Sequence, residues 1–461
     1  MLLAFVCLIL ALTVVLLSPY SRAFHMMISN RWLRVYVSAG MIPLLLTMSR
    51  TLRDHFLRRY LRAICSDPDF SAAGRDFIPP NPEFGLENFS REMKRQRKVM
   101  LLGRSGLGKT TLARALCFHA ATASRRRKSP AVGIPVFIAA GRHQEADPLD
   151  MFVAQLANYG DVHDEELVRW FLRQGGFLLC IDGLNEISAT RRAKVTSLVD
   201  AIWRRNVVCV SSQQRYPEFA WLSTINLAPL SMAEMRQLVA RHLDEHAVEK
   251  FFRQLTQASR EIYSTPQNLL FGIRLLQEGR DLPGHRNHLY AAVFAPIQAQ
   301  WSAAGGSGLA AILCSRAFDM LTLRMPYFED SGFQASQMMV NDLLEHRLLA
   351  RNADRLLFAH DLVQAYFAGR HFAQVWTEKA VWERKPDRNW LPMIEFCLED
   401  LATAAEVAGL LEQVLAANVR LAGQVFQLIK VQRPSLLDSA TEDSFLKRYA
   451  VDSLARHPMS E

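Results

Sequence analysis

The sequence lacks the cysteine patterns of a disulfide scaffold or of a zinc site. Its 461 residues contain 7 cysteines, none in a Cys-x-x-Cys pair and none beside histidines at zinc-ligand spacing. An odd, unpatterned set is typical of a reducing compartment. Cys7, Cys180 and Cys209 lie in apolar runs, where cysteine behaves as a small hydrophobic residue. These absences argue against a small disulfide-stabilised secreted fold and against a cysteine-based metal centre.

The chain also lacks a strong charge of either sign. Its formal net charge is +9, with 50% apolar and 21% charged residues, which is ordinary for a globular protein and excludes broad disorder. The length predicts about two to four domains. Basic residues are concentrated in residues 50–62, which include five arginines, and in the RRRK run at 125–128. The first cluster follows an apolar N-terminus and predicts contact with membrane lipid; the second is interpreted as a solvated loop, and nucleic acid is not indicated.

A long apolar run is present at the N-terminus. Residues 1–21 contain no charged side chain, and about 20 residues of helix span the ~30 Å core of a bilayer. No basic residue precedes the run and no small-x-small cleavage site precedes Arg22, which disfavours a cleaved signal peptide. Because the basic residues follow the run, the positive-inside rule predicts a single-pass membrane anchor with the C-terminal bulk in the cytoplasm. Residues 22–85 are interpreted as a membrane-proximal region, in which the apolar stretch at 35–48 forms an interfacial helix or a second span.

A phosphate-binding pattern begins at residue 103. Residues 98–102 (KVMLL) have the pattern of a short buried strand, and residues 111–119 that of a helix. Between them lies the loop Gly103, Arg104, Ser105, Gly106, Leu107, Gly108, Lys109 and Thr110, which Thr111 follows. Glycines let the backbone N–H groups of such a loop point at phosphate oxygens, and the helix N-terminus adds its positive end. Lys109 is predicted to reach the β- and γ-phosphates of a nucleotide, and Thr110 to ligate Mg²⁺.

A second apolar strand pattern ends in an acid. Residues 177–181 (FLLCI) precede Asp182, and the segment continues through Gly-Leu-Asn to Glu186. Asp182 is placed to hold the water shell of the Mg²⁺ ion, and Glu186 to polarise the water that attacks the γ-phosphate. The alternative interpretation is an Asp-Gly pair at an ordinary strand-to-turn junction. Together with Lys109, these two acids form the predicted catalytic set of a P-loop NTPase.

A third strand pattern, residues 207–211 (VVCVS), is followed by Arg215. Polar residues at the tip of a strand beside a phosphate loop can sense the γ-phosphate, so Arg215 is a candidate sensor; a surface arginine is the alternative. Strand patterns at 135–139 and 224–227, with helices between, complete a β/α alternation. Such alternation predicts an α/β fold with a parallel sheet and the ligand at the carboxyl ends of its strands.

The segment at 182–186 (DGLNE) resembles the extended Walker B motif of the NACHT family, which follows an apolar strand and usually has the form Asp-Gly-x-Asp-Glu. NACHT proteins belong to the STAND group of signal-transducing NTPases. The resemblance continues in three downstream segments, which are the junction into a helical domain at 227–232 (LAPLSM), an adenine-contacting motif at 265–270 (TPQNLL) and a winged-helix segment at 358–369 (FAHDLVQAYFAG). It covers roughly residues 78–380.

This resemblance implies roles for two residues outside the phosphate loop. Pro266 would pack on the adenine, and His360 would reach the β-phosphate in the closed, ADP-bound form. The sequence departs from the family pattern at two positions. Asn185 stands where an aspartate is usual, and Arg215 comes two residues later than the family's sensor arginine. The implied ligands are ATP or ADP with Mg²⁺.

The predicted domain order follows from the same comparison. The chain would comprise a transmembrane anchor at 1–21, a membrane-proximal region at 22–85, a NACHT-like P-loop NTPase core at 86–228, a helical domain at 229–285, a winged-helix domain at 286–380 and a C-terminal helical region at 381–461. Helical patterns at 391–401, 405–417, 419–431 and 441–455 in the last region resemble the start of an α-solenoid.

The resemblance implies a membrane-anchored signalling switch. It would exchange ADP for ATP, hydrolyse ATP slowly and form a homo-oligomer on activation by an unknown trigger, as in innate immunity or bacterial defence and regulation. Two alternatives stay open. One is a membrane-associated AAA-type remodelling ATPase; the other is a nucleotide-binding scaffold without hydrolysis, which Asn185 makes conceivable. ATP is favoured over GTP because no guanine-recognition motif follows the core strands.

Overall fold

The computed structural model describes residues 57–77, 86–125, 133–143, 147–160, 165–303, 308–325, 327–329, 337–345, 348–352, 355–358 and 360–456. The predicted membrane anchor at 1–21 and the apolar stretch at 35–48 lie outside these ranges. Among the helices within them, none combines the length and the apolar character needed to cross a bilayer.

A parallel five-stranded sheet forms the centre of the N-terminal half. Its strands are β1 (Lys98–Leu102), β2 (Ile134–Ala139), β3 (Phe177–Asp182), β4 (Val207–Ser212) and β5 (Ser223–Asn226), in the spatial order β2-β3-β4-β1-β5. All five strands predicted from the sequence are confirmed within one residue at each end. Helices cover both faces, so β3 and β4 are buried along their whole length. The loops after β1, β3 and β4 therefore emerge side by side at one edge of the sheet.

Among the described residues, seven helices surround this sheet. They are α1 (Arg58–Ser66), α2 (Pro68–Asp76), α3 (Leu86–Gln96), α4 (Lys109–Arg125), α5 (Pro148–Gly160), α6 (Glu165–Gln174) and α7 (Ala189–Ile202). The helix expected at 111–119 is α4, which begins two residues earlier and extends six residues further. It starts directly at the end of the phosphate loop.

Helices α1 and α2 pack on α4 beside the edge strand β2, although the sequence placed them in a membrane-proximal region. The Tyr60 hydroxyl donates to the Pro135 carbonyl oxygen at 2.7 Å. The Tyr159 hydroxyl donates to Asp67 at 2.9 Å, and Asp67 also caps α2 by accepting from the Asp69 and Phe70 N–H groups. Residues 57–77 are thus packed against the edge strand of the sheet and the helices beside it.

The C-terminal half is a helical body, defined here as residues 232–456. Its helices are α8 (Met232–His242), α9 (Glu245–Gln254), α10 (Gln257–Tyr263), α11 (Pro266–Gln277), α12 (Arg286–Ala303), α13 (Leu309–Thr322), α14 (Gln337–Glu345), α15 (Asp361–Val375), α16 (Lys379–Trp382), α17 (Leu391–Asp400), α18 (Ala404–Ala417), α19 (Val419–Gln432) and α20 (Ser439–Arg456). The last four confirm the helical patterns read from the sequence after residue 390.

A small antiparallel sheet interrupts these helices. Its strands are β6 (Phe328–Glu329), β7 (Leu349–Asn352) and β8 (Arg355–Phe358), with β8 in the middle. The two strands expected within 348–360 are β7 and β8. Phe358 at the end of β8 is buried and leads the chain into α15. The sheet thereby fixes where α15 begins, which matters for the cavity described below.

One continuous hydrophobic core runs through the helical body. It extends from Met235 to Phe445 and crosses the predicted boundaries at 285 and 380. Aromatic rings pack at its centre. The ring centroid of Tyr290 in α12 lies 5.3 Å from that of Tyr366 in α15 and 5.0 Å from that of Phe396 in α17. Because these helices share a core, α15 cannot move without carrying its neighbours with it.

The stability of this body is expected to fall as pH rises. Burial raises the pKa of Glu399 from 4.5 to about 7, although its carboxylate accepts a hydrogen bond from the Asn287 N–H at 2.7 Å. The folded protein therefore keeps a proton that the unfolded chain releases, so the free energy of unfolding should decrease between pH 4.5 and 7. Urea unfolding gives the free energy of unfolding at pH 5 and at pH 8. We expect the difference between these two values to be about 1–2 kcal/mol smaller in Glu399→Gln than in the wild type. The control is Glu412→Gln on α18, an exposed acid paired with Arg448, and an equal pH dependence in both variants would contradict the assignment.

Candidate functional site

The loop between β1 and α4 has the backbone shape that its glycines predict. Gly106 and Gly108 have φ values of 81° and 84°, in the left-handed region that favours glycine. The Leu112 N–H donates to the Gly108 carbonyl oxygen at 2.8 Å, so the helix follows without a break. The loop and the helix N-terminus together direct backbone N–H groups toward one position, as required for a phosphate.

Lys109 is folded back over this loop. Its ammonium donates to the carbonyl oxygens of Gly103 at 2.8 Å and Arg104 at 2.9 Å. Desolvation lowers the pKa of Lys109 from its ordinary value, and the negative charges of Asp361, Asp182 and Glu186 oppose that shift. The lysine is therefore the central cation of a site that contains three carboxylates.

Thr110 and Asp182, which the sequence predicted to hold Mg²⁺ and its water shell, are in direct contact. The Thr110 hydroxyl donates to one Asp182 oxygen at 2.7 Å, and the Ser211 hydroxyl donates to the other. Ser211 in turn accepts from the Gly183 N–H at 3.1 Å, which fixes the carboxylate at the end of β3. A hydroxyl beside a carboxylate suits Mg²⁺, which prefers oxygen ligands and retains several waters and phosphate oxygens. In the described part of the chain, no group of three or more His, Cys, Asp or Glu could hold a metal ion without such additional ligands.

Glu186 ends a short 3₁₀ turn, Leu184–Glu186, which Gly183 opens with a φ of 84°. Its carboxylate lies against two glycines. A Cβ atom on Gly141 would lie 2.1 Å from Glu186 Oε2, and one on Gly183 would lie 2.6 Å from Oε1. The absence of side chains at both positions therefore leaves the space that the carboxylate occupies.

This arrangement predicts the effect of Gly141→Ala. The new methyl group must displace the Glu186 carboxylate, and a misplacement of about 1 Å can cost up to ~100-fold in rate. We expect ATP turnover to fall at least tenfold while nucleotide affinity changes less than about twofold. Gly308→Ala is the matched control, because a Cβ atom there meets open space. Equal turnover in the two variants would show that the position of Glu186 does not affect hydrolysis.

The start of α15 closes over the phosphate loop. A Cβ atom on Gly106 would lie 2.6 Å from Leu362 Cδ1 and 2.7 Å from Thr265 Cγ2. Pro266 is the first residue of α11, and its Cγ atom would lie 3.9 Å from a Cβ atom on Gly108. Two segments of the helical body therefore touch the loop directly, and any side chain at Gly106 would collide with them.

A cavity of about 480 Å³ lies between the sheet and the helical body, within the usual range for small-molecule sites. The sheet side contributes residues 105–112, Asp182, Asn185 and Glu186. The helical body contributes Pro266, His360 and Asp361 and an apolar wall that includes Leu270, Phe271 and Met320. The lining thus combines charged and polar groups with apolar groups, and a nucleotide requires both kinds for its phosphates and its base.

Most predicted site residues line this cavity, but three of them, Gly103, Arg104 and Arg215, do not. The Arg215 guanidinium is exposed and donates to the Ala220 carbonyl oxygen at 3.3 Å, so the structure does not bring the candidate sensor to the site. The Arg104 side chain is also exposed, and this residue contributes its carbonyl oxygen to Lys109. Pro266 and His360 both line the cavity.

The polar residues of the cavity that sequence reasoning missed include Asp361 and Gln213. The Asp361 carboxyl is accessible from the cavity but otherwise surrounded by protein, and this desolvation raises its pKa, against the influence of Lys109. Gln213 directly follows β4 and also lines the cavity. Its place after a strand was a usable signal, whereas nothing local pointed from Asp361 to Lys109, 252 positions earlier in the sequence.

Residues 97–254 match the NACHT domain family. This segment holds the phosphate loop, the five strands and the first helices of the helical body. No curated protein matches the chain.

Three solved structures are similar to parts of this chain, each with a low TM-score. A Walker-type ATPase of Pyrococcus abyssi is 12% identical with a TM-score of 0.32, and the match covers 63% of this chain and 98% of that one. A STAND protein with a tetratricopeptide-repeat sensor from Pyrococcus horikoshii is 13% identical with a TM-score of 0.34, over 80% of this chain and 58% of that one. Domain III of the replication initiation protein DnaA of Thermotoga maritima is 14% identical with a TM-score of 0.30, over 50% and 95% of the two chains. The chain thus spans a little over half of the STAND protein.

Proposed function

We propose that the chain is a nucleotide-dependent switch, in which a P-loop NTPase core holds ADP while the helical body is closed over it. Exchange of ADP for ATP would separate the helical body from the core. The observation that carries this proposal is the packing of Leu362 and Thr265 against Gly106. A nucleotide in the cavity would touch both halves of the protein, so its identity can bias the equilibrium between closed and open forms.

The charged and polar residues of the cavity support a role in nucleotide binding and hydrolysis. The loop N–H groups and Lys109 would hold the phosphates, while Thr110 and Asp182 would hold Mg²⁺, which supplies positive charge against the developing phosphate charge. Glu186 would accept a proton from the attacking water. Asn185 accepts from the Gln213 N–H at 3.2 Å, so the position that is usually acidic serves a structural contact. A single base supports slow hydrolysis, as a switch requires.

We also propose that one part of the helical body is a winged-helix domain. Helices α13, α14 and α15 with the sheet β6-β8-β7 have the helix and strand content of a winged helix. We propose that this domain clamps nucleotide through His360, which lines the cavity.

Opening would also favour oligomerisation. Part of the apolar cavity wall, including Phe271 and Met320, would become more accessible once the two halves separate, and exposed apolar surface promotes association. We expect light scattering to show a larger species with a non-hydrolysable ATP analogue than with ADP. The same molar mass with both nucleotides would contradict oligomerisation on activation.

Membrane attachment through residues 1–21 is a further part of the proposal, supported by their apolar sequence. The exposed arginines of α1, namely Arg58, Arg59 and Arg62, follow this stretch and suit an anionic lipid surface. Deleting residues 1–56 is expected to move the chain from the membrane fraction to the supernatant. An unchanged distribution would argue against an anchor in that segment.

The test of the switch is the nucleotide content of the purified full chain. After denaturation we expect ADP near one per chain, and far less from Lys109→Ala, which removes the central cation of the site. An empty wild-type chain that turns over ATP rapidly would overturn the switch and favour a remodelling ATPase.

A further inference from the structure

We infer that the edge of the parallel sheet opposite the nucleotide cavity is a docking surface for anionic membrane lipid. The inference rests on the membrane attachment proposed above and adds a second point of contact, made by the loops of the sheet itself. This surface is called here the basic edge. Three loops form it at the amino ends of β1, β3 and β4, and its residues are Arg97, Lys98, Arg173, Arg204 and Arg205.

Hydrogen bonds hold the three loops of the basic edge together. The Arg97 guanidinium donates to the Arg204 carbonyl oxygen at 2.6 Å, and the Arg205 guanidinium donates to the Arg173 carbonyl oxygen at 3.1 Å. The Gly176 N–H donates to the Arg205 carbonyl oxygen at 2.9 Å. The arginines are therefore fixed as one cluster, although the first two of them lie 107 positions apart in the sequence.

The positive charges of this cluster are not neutralised by neighbouring acids. All four arginines are exposed, and none of them takes part in an ion pair with another described residue. The acids of the adjoining helix ends already have partners, because Glu92 pairs with Arg95 and Asp200 accepts from the Trp203 indole N–H at 3.2 Å. Each such cation close to an anionic membrane increases affinity by about fivefold.

Two tryptophans flank the basic edge. Trp203 and Trp221 are partly buried, and their ring centroids lie 6.3 Å apart. The Lys98 ammonium lies over both rings, 4.5 Å from the centroid of Trp203 and 5.1 Å from that of Trp221. Tryptophan rings beside a cation are typical of residues at the level of lipid headgroups. The composition of this edge therefore suits the surface of an anionic bilayer.

The start of α1 lies at the same edge, which favours lipid over nucleic acid as the anionic partner. The Tyr60 hydroxyl, in the first turn of α1, donates to the carbonyl oxygen of Pro135, the second residue of β2. Strand β2 pairs with β3 from the first residue of each strand, so the start of α1 lies at the amino ends of the strands, beside the loop of Arg173. A membrane that holds residues 1–21 would therefore meet the basic edge.

This docking also fixes the direction in which the nucleotide cavity faces. The cavity lies at the carboxyl ends of the strands, whereas the basic edge lies at their amino ends. Strands of five and six residues separate the two by about 20 Å. A chain docked through the basic edge would thus present its cavity away from the bilayer, where dissolved nucleotide can enter.

The experiment labels the full chain with phenylglyoxal, which modifies exposed guanidinium groups, and measures the rate at each arginine by mass spectrometry. The chain is mixed with vesicles of phosphatidylcholine, either alone or with about 30% phosphatidylserine as the anionic lipid. We expect Arg173 and Arg204 to react at least about threefold more slowly with the anionic vesicles, because a docked surface excludes the reagent. Salt at about 1 M should abolish this difference by screening the charges. Arg448 of α20, an exposed arginine paired with Glu412, is the internal control and should react equally in both.

A double variant, Arg173→Gln with Arg204→Gln, tests whether charge causes the protection. The oxygens that accept from Arg205 and Arg97 belong to the backbone and remain in place, so the loops keep their hydrogen bonds. Loss of two cations should weaken docking about 25-fold, and Arg205 should then react at the same rate with both kinds of vesicle. The matched control replaces two exposed arginines of the helical body, Arg236→Gln with Arg448→Gln, and should leave the protection unchanged.

Flotation of the same samples separates this inference from the proposed attachment. Protection that requires phosphatidylserine and is lost in the double variant supports the inference; if the chain then floats with the anionic vesicles alone, the anchor at residues 1–21 is the part that fails. Equal labelling with both kinds of vesicle overturns the inference, and flotation with both would leave the anchor intact. A chain that floats with neither overturns both. Protection by single-stranded DNA, with none by anionic vesicles, overturns the inference in favour of nucleic acid.

Discussion

Replacing Glu186 by glutamine is expected to lower ATP turnover about 100-fold or more, the range that loss of a general base usually produces. Gln has the size of Glu and can still lie against Gly141 and Gly183, but it cannot accept the proton of the attacking water. Nucleotide binding depends on the loop and on Lys109, so the affinity for ATP should change less than about twofold. Single-turnover phosphate release and equilibrium binding measure the two effects separately.

The matched control is Glu218→Gln, at an acid that lies outside the cavity lining and forms an ion pair with Arg192. It should leave turnover near the wild-type value. Wild-type and Glu186→Gln chains that release phosphate at the same rate would support the non-hydrolysing scaffold, because the measured activity would then not depend on the site.

Replacing Asp361 by asparagine is expected to tighten ATP binding about tenfold. The carboxylate lines the cavity together with Lys109 and Asp182. The phosphates of a bound nucleotide would lie near the same residues. Like charges at about 5 Å repel by roughly 3 kcal/mol at an effective dielectric constant near 20, and screening reduces this value. ADP carries one phosphate fewer, so its affinity should rise by a smaller factor.

The same residue predicts a pH dependence of binding. Desolvation raises the pKa of Asp361 above its ordinary value. As the pH falls toward that raised pKa, the carboxyl gains a proton and the repulsion disappears, so the wild-type affinity for ATP should increase. In Asp361→Asn the part of the pH dependence due to this group should be absent, and the difference between the two titration curves measures it.

Asp281→Asn is a suitable control because Asp281 is exposed and contacts Gln254 in the helical body, outside the cavity lining. It should bind both nucleotides as the wild type does. Weaker ATP binding in Asp361→Asn would mean that the carboxylate helps to hold Lys109 in its binding position, and the repulsion argument would then be wrong.

The parts of the site that the sequence predicted are those built from consecutive residues. The phosphate loop at 103–110 and the acid at the end of β3 are local patterns whose chemistry requires those residue types in that order. The strands were predictable for a related reason. The three central strands, β3, β4 and β1, are short and mostly apolar runs, as expected in a sheet covered by helices on both faces.

The sensor position shows where local patterns were insufficient. Arg215 was chosen because an arginine follows β4, but its guanidinium turns to the Ala220 carbonyl oxygen. Gln213 lines the cavity, and Asn185 on a neighbouring strand end holds its backbone. A displacement of two residues along a loop changes which side chain faces the ligand, and contacts with other segments decide that direction.

The sequence by itself determined the strand positions and the phosphate-loop pattern, because short-range geometry and chemistry fix these features, and it singled out Lys109, Thr110, Asp182 and Glu186 as site candidates. The tertiary structure alone decided that Asp361 faces Lys109, that Leu362 and Thr265 close over Gly106, and that Glu186 lies in the space left by Gly141. These contacts join segments far apart in the chain, and they depend on how one continuous core positions α15 against the phosphate loop. No local pattern encodes such a distance, since it results from the packing of all the intervening elements.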